Sequence, residues 1–249
     1  MNHPRRCQLI IDYLKIIDDP IEIDYITSNR RICALTISTD VRARLRGEIL
    51  GGGIAPGGKI NVDRVKSLYG VSLSPLREAL SQLVAEGLVE ADENRGFRAA
   101  SVSKENLTEI FWLRCMLETT ALRRAIEFGD DAWEAEIVSS LHRLEKLSYR
   151  RAPNRPNQEW EHWHRQFHLA VIAACRAPLL VQFCGSLHDH ADRYRRTFLK
   201  ENKQSRDSHQ EHRDIAAAAL KHDADKACRL MAKHIERTGA DILAAMPDT

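Results

Sequence analysis

Gly70-Val71-Ser72-Leu73-Ser74-Pro75-Leu76-Arg77-Glu78-Ala79-Leu80, followed by Leu83-Val84-Ala85-Glu86-Gly87-Leu88-Val89, decides the fold of this 249-residue chain. Leu76, Leu80, Leu83 and Val84 recur at helical spacing, which predicts a helix from Ser74 to about Glu86 with one apolar face. Gly70 supplies a tight turn before it, and a short helix near Asp63 to Tyr69 precedes the turn. Upstream, Val41, Leu45 and Ile49 lie four residues apart and predict a helix Val41 to Leu50, capped by Thr39 or Asp40 and stopped by Gly51, Gly52 and Gly53. Downstream, Leu88-Val89 and Phe97-Arg98-Ala99-Ala100 flank the turn Glu93-Asn94-Arg95-Gly96, the pattern of two short strands. Helix, helix-turn-helix and a small β-wing follow in order.

A helix that reads nucleic acid needs a polar or basic amino-terminal half and an apolar back. Ser72, Ser74 and Arg77 supply the first, and Leu76, Leu80 and Leu83 the second. The formal net charge of the whole chain is only +2, so bulk charge does not point to nucleic acid. Locally the balance differs: between Val41 and Arg77, seven Lys or Arg (Arg42, Arg44, Arg46, Lys59, Arg64, Lys66, Arg77) face two acids, Glu48 and Asp63. Phosphate contact requires that kind of local excess.

Beyond Ser103 the wing pattern gives way to long amphipathic segments: Lys104 to Phe128, Ala132 to Arg150, Gln158 to Cys175, Leu179 to Leu199, Ser205 to Lys221 and Ala224 to Ala245. The expectation is a mainly α chain, with a winged helix-turn-helix over 39–101 and an all-α bundle of about six helices over 102–249. Residues 1–38 read as an extension, with Ile21, Ile23 and Tyr25 as one alternating strand. No apolar run reaches the ~18 residues a spanning helix needs, which points to a cytoplasmic protein without membrane contact. The six cysteines are scattered, without a CxxC pair, and read as reduced thiols.

The ordered words Leu45-Arg46, Ile54-Ala55-Pro56-Gly57-Gly58-Lys59-Ile60, Gly70-Val71-Ser72, Pro75 to Leu80, Glu86-Gly87-Leu88-Val89 and Arg95-Gly96-Phe97 resemble the winged-helix signature of GntR-family transcriptional regulators. The resemblance implies a homodimer on double-stranded operator DNA, with Arg77 in the major groove, Ser72 and Ser74 assisting, and Gly96 letting the wing approach the minor groove. Arg46 joins the expected contacts. Leu73 stands where many members carry Arg, so that base contact falls to Arg64 or Arg98.

Eleven histidines are many for this length. His164 and His168 share a helical face, while His212 and His234 belong to the last two helices. From spacing alone, histidines four apart on a surface helix are more often solvated. However, Gln166-Phe167-His168, Glu211-His212-Arg213-Asp214-Ile215, Asp225 with Ala227, and Met231 with His234-Ile235 resemble the FCD sensor domain of the FadR branch of the same family. That resemblance implies a divalent metal, Zn or Ni, on His164, His168, His212 and His234, with His164 in a place where the family has Asp. It also implies a small carboxylate effector and puts Arg114 at its site. An ion pair of Arg114 with Glu118 at i, i+4 is compatible with that role. Arg193 or Arg195 is the candidate clamp for a second carboxylate, although alone both read as solvated. His3, His142, His162, His188, His190, His209 and His222 read as ordinary surface or supporting residues. Ser74 to Glu86, Leu73, His164 and Arg193-Tyr194-Arg195 together are similar to glutarate-responsive repressors of this branch, which implies a short dicarboxylate and a repressor that it releases.

The main rival is a di-iron enzyme, since Glu159-Trp160-Glu161-His162 contains Glu-x-x-His. Such sites need that motif on two helices, and the chain offers it on one. A helical interaction module without an effector is the third reading. Without a nucleophile motif or a phosphate loop, the sequence does not read as an enzyme.

Overall fold

The computed structural model describes residues 37–92, 96–147, 150–152, 155–199 and 208–247. The strand expected at Ile21 to Tyr25 and the connector Glu201 to Ser205 lie outside them. Two compact units separate by backbone packing: the described start of the first helix with residues 61–82, and residues 45–60 with 83–247.

Helix α1 is described over residues 37–50. It therefore includes Thr39 and Asp40, which do not cap it as expected. Ser38 is buried like Val41, Leu45 and Ile49, so the inward face continues one turn further back. In the first unit, α2 (Val62–Tyr69) is capped by the Asn61 side chain, which accepts from the Arg64 amide at 3.0 Å, and it ends at Gly70. Gly70 has φ 64, a conformation that admits glycine without strain, and this is how α2 turns so tightly into α3 (Leu73–Ala85). Leu76, Ala79 and Leu80 are buried along α3, while Ser72, Ser74 and Arg77 are exposed at its start.

In the second unit, β1 (Lys59–Ile60), β2 (Val89–Asp92) and β3 (Gly96–Ala99) form an antiparallel sheet in the order β1-β3-β2. Asp92 opposes Gly96, so the two wing strands pair as predicted. Six helices follow: α4 (Lys104–Phe128), α5 (Asp131–Glu145), α6 (Gln158–Ile172), α7 (Pro178–Phe198), α8 (Ser208–Leu220) and α9 (Ala224–Ala245). Ser103, Asp130, Asn157 and Asp223 cap α4, α5, α6 and α9, each accepting a backbone amide of the first turn. Helix α5 stops at Glu145, short of the predicted Arg150, just after Leu144, its last buried residue. Strands do not end at the wing, contrary to expectation: β4 (Arg150–Ala152) pairs with β5 (Arg155–Pro156). A hairpin this short has no alternation to read.

Helix α4 is central, packing on α7 and α9, while α5 packs on α6. Leu107, Leu122, Ile137, Phe167, Tyr194, Ile215, Met231 and Ile235 fill the core between them. Contact between α4 and α9 is close because Gly239 has no side chain: a Cβ there would lie 2.8 Å from Phe111 Cδ1. Replacing Gly239 with Val should therefore overpack this contact and cost about 1–3 kcal/mol. The check is a lower urea midpoint at unchanged slope; an unchanged midpoint would mean that the helices spread without loss.

Candidate functional site

The bundle brings together side chains from α4, α6, α7, α8 and α9. His164 and His168 lie one turn apart on α6, His212 on α8 and His234 on α9, all buried, with one ring nitrogen of each within 4.8 Å of the others. That span is close to the ~4 Å across which donors with bonds of about 2.1 Å surround a zinc-like ion. His188 of α7, expected to be ordinary, is also 1% exposed, and its ring lies 5.3 Å from His164 and 5.0 Å from His168. Two turns of α7 explain this: His188, Asp192 and Arg195, at i, i+4 and i+7, share one inward face. That spacing was visible in the sequence.

Carboxylates stand behind the rings. Glu118 Oε2 lies 3.2 Å from His168 Nδ1, while its Oε1 accepts from Arg114 Nε at 2.6 Å. Burial alone would raise the Glu118 carboxyl; the Arg114 guanidinium, aided by His168, outweighs it and holds the group below the usual carboxylate range. Burial pushes His168 down to about 3 despite its bond to Glu118. A neutral His168 thus donates Nδ1–H to Glu118, and its Nε2, which has no hydrogen-bond partner, carries a lone pair. His234 Nδ1 faces Glu211 Oε2 at 2.9 Å, and Glu211 Oε1 accepts from Arg237 at 2.8 Å. A carboxylate behind an imidazole is how metal-binding histidines are oriented, so these residues suit a divalent cation.

The three arginines expected at the effector site differ. Arg114 is buried and paired with Glu118, as the i, i+4 reading had it. Arg195 is buried rather than solvated: it lies 2.9 Å from Asp192 and 3.2 Å from His164 Nδ1, with its guanidinium over the Trp160 ring. Burial, then Arg195, lowers His164 well below the usual histidine range. Arg193 is buried too, but on the opposite face of α7, where it donates to the Ala100 carbonyl. It is not brought to the histidines. Glu161, missed in the sequence, is 2% exposed and pairs with Arg196 and Arg195. Glu159 and His162, the residues of the di-iron reading, are exposed on the other face of α6.

Among the residues expected at DNA, Arg64, Ser72, Ser74, Arg77 and Gly96 are exposed. Arg46 is committed elsewhere: its guanidinium pairs with Glu86 at 2.9 Å and with Asp189. Arg98 donates to the Gly57 carbonyl at 3.1 Å, which ties the wing to the turn before β1. Burial disfavours the anionic forms of two thiols, pushing Cys184 up to about 12 and Cys115 up to about 11.

A winged helix followed by a helical bundle with a buried, ligand-ready centre defines the class of bacterial transcriptional regulators that couple a DNA reader to a sensor. Comparison with known proteins agrees. Residues 37–98 match the gntR family of bacterial regulatory proteins, and residues 109–237 match the FCD domain. The chain is 38% identical over 195 residues to the HTH-type transcriptional regulator BphR of Paraburkholderia xenovorans (strain LB400), covering 78% of this chain and 80% of that one. It is 37% identical over 195 residues to the HTH-type transcriptional repressor GlaR of Escherichia coli (strain K12), covering 77% and 89%. Its fold resembles that of E. coli McbR/YncC, with a TM-score of 0.69 at 22% identity over 83% of this chain and 96% of that one. A putative GntR regulator from Rhodococcus sp. RHA1 gives 0.71 at 19% identity over 84% and 99%. The chain belongs to the GntR family, in its FadR-type branch with an FCD domain; it is a transcriptional regulator and not an enzyme. Among the described residues, no helix is long and apolar enough to cross a membrane.

The Arg114–Glu118 pair yields a stability test. Arg114→Met should cost about 3–5 kcal/mol by leaving a buried carboxylate unpaired, whereas Arg114→Met with Glu118→Leu should recover most of it. Urea unfolding of metal-free protein measures both; equal losses in the single and double variants would show that the pair is not the source of the cost.

Proposed function

We propose that the chain is a cytoplasmic, homodimeric repressor that leaves its operator when a short dicarboxylate, glutarate or a close relative, binds at a divalent metal held by the histidine group. Residues 39–101 serve as the DNA reader and 102–249 as the sensor and dimerisation domain. Arg77 and Arg64, with Ser72 and Ser74, make the contacts of the reading helix and its neighbour, and Gly96 those of the wing. Zn or Ni suits a nitrogen-rich donor set.

The observation that carries the sensor reading is the charge pattern around the rings. Each of the four carboxylates named there has its own guanidinium: Glu118 has Arg114, Glu161 has Arg196, Asp192 has Arg195 and Glu211 has Arg237. The protein contributes no surplus negative charge, and imidazoles ligate as neutral groups. A divalent cation would bring two uncompensated positive charges into this buried centre, where a charge without partners is costly. Two carboxylate groups on one small molecule balance them. The metal, when bound, would supply a Lewis-acid charge for one carboxylate, and Arg195 would meet the anion from the α7 side. A repressor named among the relatives, GlaR, supports the direction of control. Coupling between effector and DNA of ~1–3 kcal/mol is the usual scale for such regulators.

Two measurements test this. In gel shifts on the upstream operator, Arg77→Ala should weaken binding by about 1–3 kcal/mol; undiminished binding would remove Arg77 from the interface. His168→Ala should abolish metal uptake and the glutarate response while leaving effector-free DNA binding intact, and a variant that still responds would show the site to be misassigned.

A further inference from the structure

Three of the four central imidazoles have the place of a ring proton set by a neighbouring side chain. His168 and His234 each set Nδ1 against a carboxylate oxygen, at 3.2 and 2.9 Å. A carboxylate only accepts, so both rings carry a proton on Nδ1, and the neutral ring of His168 keeps a lone pair at Nε2. His164 is arranged the other way round. Its Nδ1 lies 3.2 Å from Arg195 Nη1, and a guanidinium only donates. Nδ1 of His164 is therefore the acceptor, and its neutral ring carries the proton on Nε2. Protonating both nitrogens would aim an N–H at a guanidinium N–H. The arrangement is held from below: His164 stacks on Trp160 with ring centroids 4.6 Å apart at 15°, and Arg195 lies over the same indole at 5.2 Å. Flipping the ring would replace Nδ1 by a carbon and lose the bond to Arg195.

Building on the effector reading above, we propose that His164 is not a metal ligand but a hydrogen-bond donor, giving Nε2–H to a carboxylate of the effector beside Arg195. A metal would then be held by His168, His212 and His234, a three-residue donor set of the kind found at sites that exchange ligands rather than at closed structural ones. His164 thereby sets affinity for the acid and not for the ion. Of the two groups that meet the anion from the protein side, Arg195 brings charge, while His164 brings a directed donor already fixed by its own acceptor bond.

The test uses the full chain, without an affinity tag, in wild-type, His164→Ala, His164→Gln and His168→Ala forms, with zinc content by mass spectrometry and glutarate affinity by calorimetry. His164→Ala should keep one zinc per chain and lose glutarate affinity about ten- to a hundredfold, the scale of a hydrogen bond to a charged group. His164→Gln, which retains an N–H donor and remains informative if the alanine variant fails to fold, should recover most of that loss. His168→Ala should lose the zinc. In metal-free protein, nitrogen NMR of labelled histidines should show His164 protonated at Nε2 and His168 at Nδ1. Loss of zinc in His164→Ala or His164→Gln to the extent seen in His168→Ala, or unchanged glutarate affinity in both His164 variants, would overturn the proposal. Failure of the underlying reading looks different. Wild type that takes zinc but no dicarboxylate removes the effector role of His164 together with that reading, and wild type that binds glutarate without zinc removes only the metal and leaves the donor role to the His164 variants.

Discussion

A buried carboxylate held ionised by a buried guanidinium is the constraint on which the centre of the helical bundle depends. Glu118 sits between Arg114, one turn earlier on its own helix, and His168 on α6. Without Arg114, desolvation would favour the protonated acid, and the acid would no longer compel His168 to carry its proton on Nδ1. The side of the ring on which His168 carries its lone pair is thus set through Glu118, by an arginine bonded to that carboxylate. Glu211, between Arg237 and His234, repeats the arrangement from α8 and α9. The bundle is consequently more than an apolar core with histidines inserted. Its central polar residues form linked ion pairs, and they leave ring nitrogens such as His168 Nε2 without a hydrogen-bond partner.

Much of this was legible in the chain. The apolar spacing of Leu76, Leu80 and Leu83 located α3 to within a residue at each end, and Lys104 to Phe128 and Ala224 to Ala245 were read with the bounds they have. Of the candidate site, the four histidines of α6, α8 and α9, read as one group, do lie together, though only resemblance overcame a spacing that by itself looks solvated. What escaped was tertiary. Nothing local distinguishes Glu161, buried beside Arg196, from Glu159, exposed two residues before it. Arg193 and Arg195 looked equivalent and lie on opposite sides of α7. Arg46 carries a basic residue's ordinary signal for phosphate, yet Asp189, far along the chain, claims it.

His188 and Asp192 are instructive because the signal was present. Spaced at i, i+4 and i+7 with Arg195, they mark a polar stripe on α7. A polar stripe reads as solvent-facing by default, and here it faces inward, because other helices bring complementary charges to it. Burial of such a stripe is decided by partners far away in sequence, which periodicity cannot report.

One consequence concerns ionic strength. Arg114 and Glu118 are 3% and 1% exposed, beyond the reach of mobile ions, whereas Arg77 stands open to solvent. Screening acts on exposed charges and hardly on buried ones, so added salt discriminates between these two sets of charges. It quenches the field around the basic helix and leaves the internal charge pattern of the bundle almost untouched.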